Sequence, residues 1–311
     1  MNSNLTIVTY HYVRKLEDTK YPLIKGLDIN DFMNQIDYYE RNYTFIGIQD
    51  IINNLYYNEK IPNNPILLTF DDGYIDHFTN VLPILKKKRI KGCFFPSAKP
   101  IQENKVLSVN KIQFILASEK VLKYILDDIY DNLDCNRNLY NLKSNRYYFE
   151  LLTRNLYGSD NKEITFIKRL LQKGLDKDLR ELIIDRLFNK YVTSNEESFA
   201  NELYMDISQI EYMIDNGMNF GSHGYEHCWL NTISPKEQER DVDSSLIFLK
   251  NLGVDFDNLT MCYPYGAYNN SLIRILKGKK FKLAFTINGG IAKINKKYAF
   301  KLKRFDANYF S

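Results

Sequence analysis

The stretch Pro65-Ile66-Leu67-Leu68-Thr69-Phe70-Asp71-Asp72-Gly73-Tyr74 constrains this chain more than any other. An apolar run of strand type, Ile66 to Phe70, stops at two adjacent carboxylates followed by a glycine. A buried strand that ends this way presents both acids at one lip of a sheet, and Gly73 lets the chain turn sharply there without a Cβ penalty. Neighbouring carboxylates repel and resist desolvation unless a proton or a cation sits between them. The pattern therefore asks for a metal partner elsewhere. His223-Gly224-Tyr225-Glu226-His227 supplies one, with two imidazoles at positions i and i+4.

The flanking sequence alternates strands and helices. Thr6 to Tyr12 reads as a first strand ending near His11, and Asn30 to Tyr43 as a helix capped by Asp28 or Asn30. Phe45–Ile48 is a short strand and Gln49–Tyr57 a short helix. The Asp-Asp strand is followed by a helix over Ile75–Lys88 and a strand over Gly92–Phe95. This rhythm implies parallel β/α units with the site on loops at strand C-termini. From 98 to 202 it gives way to helical patterns at Lys111–Asn132, Arg146–Leu156 and Glu163–Tyr191, a helical insertion of domain scale. The expected organisation is a barrel from 1–97 and 203–311 with an insertion over 98–202. In the second half, Ser208–Glu211 and Ser234–Glu237 both read as capping boxes. Strands are expected at Met218–Ser222, Thr260–Tyr263 and Leu283–Thr286.

Composition excludes more than it selects. The formal charge of +4 comes from 42 basic and 38 acidic residues spread along 311 positions, so no nucleic-acid partner is expected. No run approaches the roughly 18 apolar residues of a membrane span. The first residues lack a basic segment followed by an apolar stretch, so a cytoplasmic location is expected. Cys93, Cys135, Cys228 and Cys262 fit no zinc-knuckle spacing and read as reduced packing residues.

Two neutral imidazoles and one carboxylate form a three-ligand set for a divalent metal, leaving a position open for water. A second carboxylate beside it, not ligating, is suited to take the water's proton. His11, at the end of the first strand, faces the same rim in a parallel β/α fold; it is either a packing residue or the acid that protonates a leaving amine. His77 reads as structural.

Thr69-Phe70-Asp71-Asp72-Gly73, His223-x-x-x-His227 and Tyr263-Pro264-Tyr265-Gly266 resemble the three leading motifs of the polysaccharide deacetylase family, carbohydrate esterase family 4 with its NodB-homology domain. The resemblance spans 5–97 and 203–306 and omits the helical segment. It implies a distorted (β/α)7-type barrel and metal-dependent removal of N-acetyl groups from amino sugars. Carried over, Asp71 is the catalytic base, and Asp72, His223 and His227 hold the metal, commonly Zn2+, with Co2+ or Ni2+ as alternatives. The backbone N–H of Tyr265 helps to stabilise the oxyanion. Three positions depart from the pattern. Gly224 stands where a Ser or Thr is usual, Cys262 where an Arg often precedes the proline-tyrosine motif, and no Leu-x-His follows near the C-terminus. Circularly permuted members bring that histidine in on an N-terminal strand, as Thr9-Tyr10-His11-Tyr12 would; Arg304 would then replace the missing arginine in orienting Asp71.

The sequence thus points to a metal-dependent hydrolase removing an N-acetyl group from an amino sugar. Its expected substrate is a cytosolic, nucleotide- or lipid-linked precursor of a surface polysaccharide, or an oligosaccharide. A non-catalytic glycan-binding barrel is the alternative that Gly224 and Cys262 favour. A non-haem iron oxygenase also uses two histidines and a carboxylate, but here the carboxylate lies far upstream and has a second acid beside it.

Overall fold

Strand Pro65–Asp72 is buried at every residue, as a run of Ile, Leu and Phe requires when both faces are covered. In the computed structural model, which describes residues 3–118, 121–155 and 160–310, this strand has a neighbour on each side. Parallel ladders join it to Ser3–Tyr10 and to Gly92–Pro96, and Gly92–Pro96 in turn to Asn219–Phe220. A parallel bridge from Ser222 to Met261 leads on to Thr260–Cys262, which pairs with Leu283–Phe285. A second bridge, Phe285 to Leu302, leads to Phe305–Asp306, and that segment pairs with Ser3–Tyr10. The hydrogen bonding returns to its starting strand, giving the distorted α/β barrel of parallel strands expected from the motifs. Its core is a continuous set of buried side chains, among them Ile7, Leu68, Phe94, Met261, Leu283 and Leu302.

The chain divides into two compact units. One comprises Met1–Lys15, Gly26–Lys105 and Ala200–Ser311, and contains the barrel. The other comprises Leu16–Lys25 and Val106–Phe199. Among the described residues of the second unit the main elements are helices, at Ser108–Leu116, Leu122–Asn136, Asn145–Thr153, Lys162–Arg169 and Lys177–Tyr191. Its core includes Ile125, Ile129, Phe166, Ile183 and Leu187. Tyr21 packs edge-on against Phe114 and Phe199, which ties the distant segment 16–25 to this unit.

Several local expectations need correction. The helix expected over Ile75–Lys88 contains a π turn at His77–Val81, because Pro83 has no N–H to give residue 79 and its ring displaces that carbonyl. The pattern over 111–132 is two helices, ending at Leu116 and restarting at Leu122. That over 163–191 breaks at a π turn ending in Gly174, after which Asp176 caps the next helix through the N–H of Asp178. Leu156, the expected end of the 146–156 helix, lies outside the described residues. The capping box near Ser208 starts two residues earlier: the Asp206 carboxylate accepts from Gln209 N, and the Gln209 side chain accepts from Asp206 N. Ser234–Glu237 is a capping box as read. An antiparallel strand, Ala292–Ile294 on Ser3–Leu5, is too short to announce itself, with Gly289-Gly290 just before it, Lys293 within it and Asn295-Lys296-Lys297 after it. Cys135 is exposed and so is no packing residue.

Gly221 lies where the barrel wall is tightest. A Cβ there would sit 2.3 Å from Thr260 Oγ1 and 2.6 Å from a Phe95 ring carbon. Gly221→Ala is expected to destabilise the protein by roughly 2–3 kcal/mol through overpacking, measured as a lowered urea midpoint at unchanged m-value. Wild-type stability in that variant would mean the wall is looser than described.

Candidate functional site

The strand ends collect Asp71, Asp72, His223, Cys262 and Arg304 at one rim of the barrel. Asp71 is 3% exposed and Arg304 not exposed at all, and the two form a bidentate pair. Arg304 Nη1 donates to Asp71 Oδ1 at 2.8 Å and Nη2 to Oδ2 at 2.7 Å. The guanidinium is itself fixed, with Nε donating to the Thr286 carbonyl and Nη1 to Thr69 Oγ1. Thr69 in turn donates to the Val8 carbonyl. Thr9 Oγ1 and the Cys262 thiol donate to Asp71 Oδ2 as well. Burial alone would push the Asp71 pKa up; the charge and hydrogen bonds of Arg304 overcome it and hold the carboxyl well below the usual range.

Asp72 turns the other way. Its φ of 72° is the left-handed conformation, which separates its side chain from that of its neighbour. Oδ2 accepts from the Tyr74 hydroxyl at 2.6 Å. Oδ1 is buried without a hydrogen-bond partner, and His223 Nε2 and His227 Nε2 lie 3.3 and 3.2 Å from it. His223 Nδ1 is 2.8 Å from the Cys262 carbonyl, which can only accept, so that nitrogen carries the proton and Nε2 keeps its lone pair. Burial lowers the pKa of both imidazoles. It prevails at His227, whereas the contacts with Cys262 and Asp72 outweigh it at His223.

Carboxylate oxygen and two imidazole nitrogens at this spacing fit a divalent metal, and the orphaned Oδ1 is the acceptor such an ion would satisfy. A second grouping, Asp71 with His223 and Cys262, fits poorly. Arg304 already occupies both Asp71 oxygens, and burial raises the Cys262 pKa and keeps its sulfur protonated.

The histidine loop is held by groups the sequence did not advertise. Gly224 has φ +72°, and a Cβ on it would sit 2.7 Å from Asp241 Oδ1. That buried carboxylate accepts from Tyr225 N at 3.0 Å and from Glu226 N at 2.9 Å. Gly224 N donates to Ser222 Oγ, so a loop hydroxyl is present two residues upstream of where one was expected. Asp241 sits mid-helix in Pro235–Asn251, and its one available signal was an acid at helical spacing with Val242, Ser245, Phe248 and Leu249 on the inward face.

His11 follows the first strand with its side chain 43% exposed, and Nε2 lies 3.9 Å from Asp71 Oδ2. Tyr265 adopts φ 55°, ψ 13° in the turn Pro264–Gly266. Its ring stacks on Trp229 at 4.4 Å between centroids and 1° between planes, and lies 4.8 Å from His227. The structure therefore brings Asp71, Asp72, His11, His223, His227, Tyr265 and Arg304 into one connected neighbourhood. His77 is fully buried in an aromatic nest, and burial lowers its pKa to about 4. Cys228 packs against the core.

A family model described as polysaccharide deacetylase matches residues 58–129 and 188–294, more than half of the chain. The match omits the His11 strand and reaches into the helical segment, unlike the span drawn from the motifs alone. No curated protein sequence matches. Among solved structures, the Streptococcus pyogenes deacetylase PplD in complex with acetate has TM-score 0.60 at 17% identity, covering 98% of this chain and 93% of its own. IcaB from Ammonifex degensii has TM-score 0.53 at 17% identity over 97% and 86%. A de-N-acetylase from Aggregatibacter actinomycetemcomitans has TM-score 0.57 at 14% identity over 98% and 96%. At these identities the likeness is one of fold.

Arg304→Met leaves Asp71 as a buried charge without its partner, at an expected cost of about 3–5 kcal/mol at pH 7. Because the folded pKa of Asp71 lies below the unfolded value near 3.9, the pair contributes stability above about pH 4 and loses it as pH falls further. Urea unfolding should show the gap between wild type and variant narrowing from pH 7 to pH 4, since acid neutralises the stranded carboxyl. A gap that does not depend on pH would assign the loss to packing.

Proposed function

This chain belongs to the polysaccharide deacetylase family, and on that premise we propose that it is a metal-dependent N-deacetylase of an acetylated amino sugar. The observation that carries the reading is the buried Asp72 Oδ1, bare of hydrogen bonds and faced by two imidazole nitrogens. Asp72, His223 and His227 would hold the cation, with Zn2+ first among the candidates and Co2+ or Ni2+ next. When bound, a divalent cation polarises the acyl oxygen and makes water a stronger acid.

The remaining work falls to the chain's own groups. Asp71 takes a proton from the attacking water, whose oxygen adds to the acetamide carbon. A carboxylate stabilised as strongly as this one is a weak base alone, which is one reason the cation is needed. The Tyr265 N–H donates to the oxyanion, a fixed dipole where charge develops. His11 gives its proton to the departing nitrogen as the C–N bond breaks, releasing acetate and a free amine. Arg304 orients Asp71.

The two departures that favoured a non-catalytic barrel have physical replacements. Arg304 reaches Asp71 from the far end of the barrel sequence in place of an arginine at 262, and Asp241 with Ser222 holds the loop in place of a hydroxyl at 224. The acetylated sugar in this reading is a nucleotide- or lipid-linked precursor in the cytoplasm, or an oligosaccharide. No described helix is long and apolar enough to cross a membrane.

Purified protein is expected to release acetate from N-acetylglucosamine oligomers, to lose the activity on chelation and to regain it with Zn2+ or Co2+. Asp71→Asn should lower kcat by roughly 10²–10⁴-fold while keeping its metal. His227→Ala should lose bound metal by elemental analysis. Metal-loaded wild type that releases no acetate from any such sugar, and that Asp71→Asn does not alter, would overturn the reading.

A further inference from the structure

His11 has no side-chain anchor beyond its distance of 3.9 Å to Asp71, so the backbone of residue 11 sets where its ring stands. That backbone, and the residues just after it, are held by the turn and π turn that follow Asp72, with Leu27–Asp28 pairing beyond at Val13–Arg14 and Leu27 N donating to the Tyr12 carbonyl. His77 Nε2 lies 2.9 Å from the His11 carbonyl. Asp76 Oδ2 accepts from Val13 N at 3.0 Å, and the same carboxylate holds Arg14 through two hydrogen bonds. Asn80 Nδ2 donates to the Val13 carbonyl at 2.8 Å. The Tyr12 ring stacks on Tyr74 at 4.0 Å.

His77 is an expensive way to fill a core. It is wholly buried among Phe70, Tyr74 and Phe94, and its Nδ1 has no hydrogen-bond partner. An unsatisfied buried acceptor costs about 1–3 kcal/mol that a phenylalanine or leucine would avoid. What the imidazole supplies in return is one donor, and the carbonyl it meets belongs to His11. A carbonyl only accepts, so Nε2 carries the proton, and the lowered pKa keeps the ring neutral in that tautomer above about pH 4.

We propose that His77, with Asp76 and Asn80, is a positioning residue that holds His11 in register with Asp71, so that acid and base stand on opposite ends of one rigid connection. The π turn that Pro83 imposes spans His77 and Asn80, and places both within reach of the same loop. This rests on the reading of His11 as the acid for the departing amine.

The experiment compares two substrates in the zinc-loaded enzyme. An N-acetylglucosamine oligomer has a poor leaving group that needs a proton, whereas 4-nitrophenyl acetate has a good one that does not. His77→Leu is expected to lower kcat on the amide by roughly 10- to 100-fold, at least tenfold more than on the ester, with KM and bound zinc unchanged. His77→Gln keeps an N–H donor and should recover most of the loss. Combined with His11→Ala, His77→Leu should add nothing further to the loss on the amide. Should His77→Leu fail to fold, Asn80→Ala carries the same comparison with a smaller selective loss. Equal losses on both substrates, or loss of zinc, would make His77 a structural residue and overturn the proposal. A His11→Ala variant that shows no selective loss on the amide would instead sink the reading of His11 itself.

Discussion

A buried guanidinium clamped to a buried carboxylate organises this molecule. Arg304 and Asp71 are each costly to bury, and each is tolerable only because the other is there, with Thr69, Thr286 and Cys262 filling the remaining hydrogen-bonding positions. The pair ties strand Pro65–Asp72 to the last barrel segment across the first strand. It also decides which of two chemically identical neighbours does what. With both Asp71 oxygens engaged, Asp72 alone is left to face the imidazoles. The left-handed backbone at Asp72 makes the division geometric, since adjacent side chains are aimed into separate pockets. Two carboxylates one residue apart thereby acquire opposite tasks from their surroundings.

Much of this was legible in the sequence because it depends on local signals. A strand that ends in two acids, histidines at i and i+4 after another strand, and caps such as Ser234 with Glu237 all write themselves into a few consecutive residues. The parallel order of the sheet follows from the strand–helix rhythm in the same way. What stayed hidden depends on contacts between distant residues. Asp241 looks like any helix acid until its oxygens are seen to meet Tyr225 N and Glu226 N. The attachment of segment 16–25 to the helical unit has no periodicity to announce it. The π turn at His77–Val81 stayed hidden because apolar periodicity over Ile75–Lys88 does not separate an α-helix from one that widens by a residue ahead of Pro83.

Gly224 shows how a departure from a familiar pattern misleads when one residue is read alone. The position lacks a hydroxyl, and the sequence suggests a weakened loop. In space the same position has no room for one: the Asp241 carboxylate occupies the volume a serine Cβ would take, and it holds two backbone N–H groups instead of one. Glycine and aspartate form a matched solution, and exchanging either by itself would break it.

The placement of Arg304 has a consequence for how the molecule comes into being. During synthesis Asp71 leaves the ribosome more than two hundred residues ahead of its counter-ion, so the strand that carries it cannot settle into a dry interior on the way out. Closure has to wait for nearly the whole barrel sequence to emerge. Until then, the first strand lacks the late segment that shields its open edge, and the nascent chain is exposed to mispairing there.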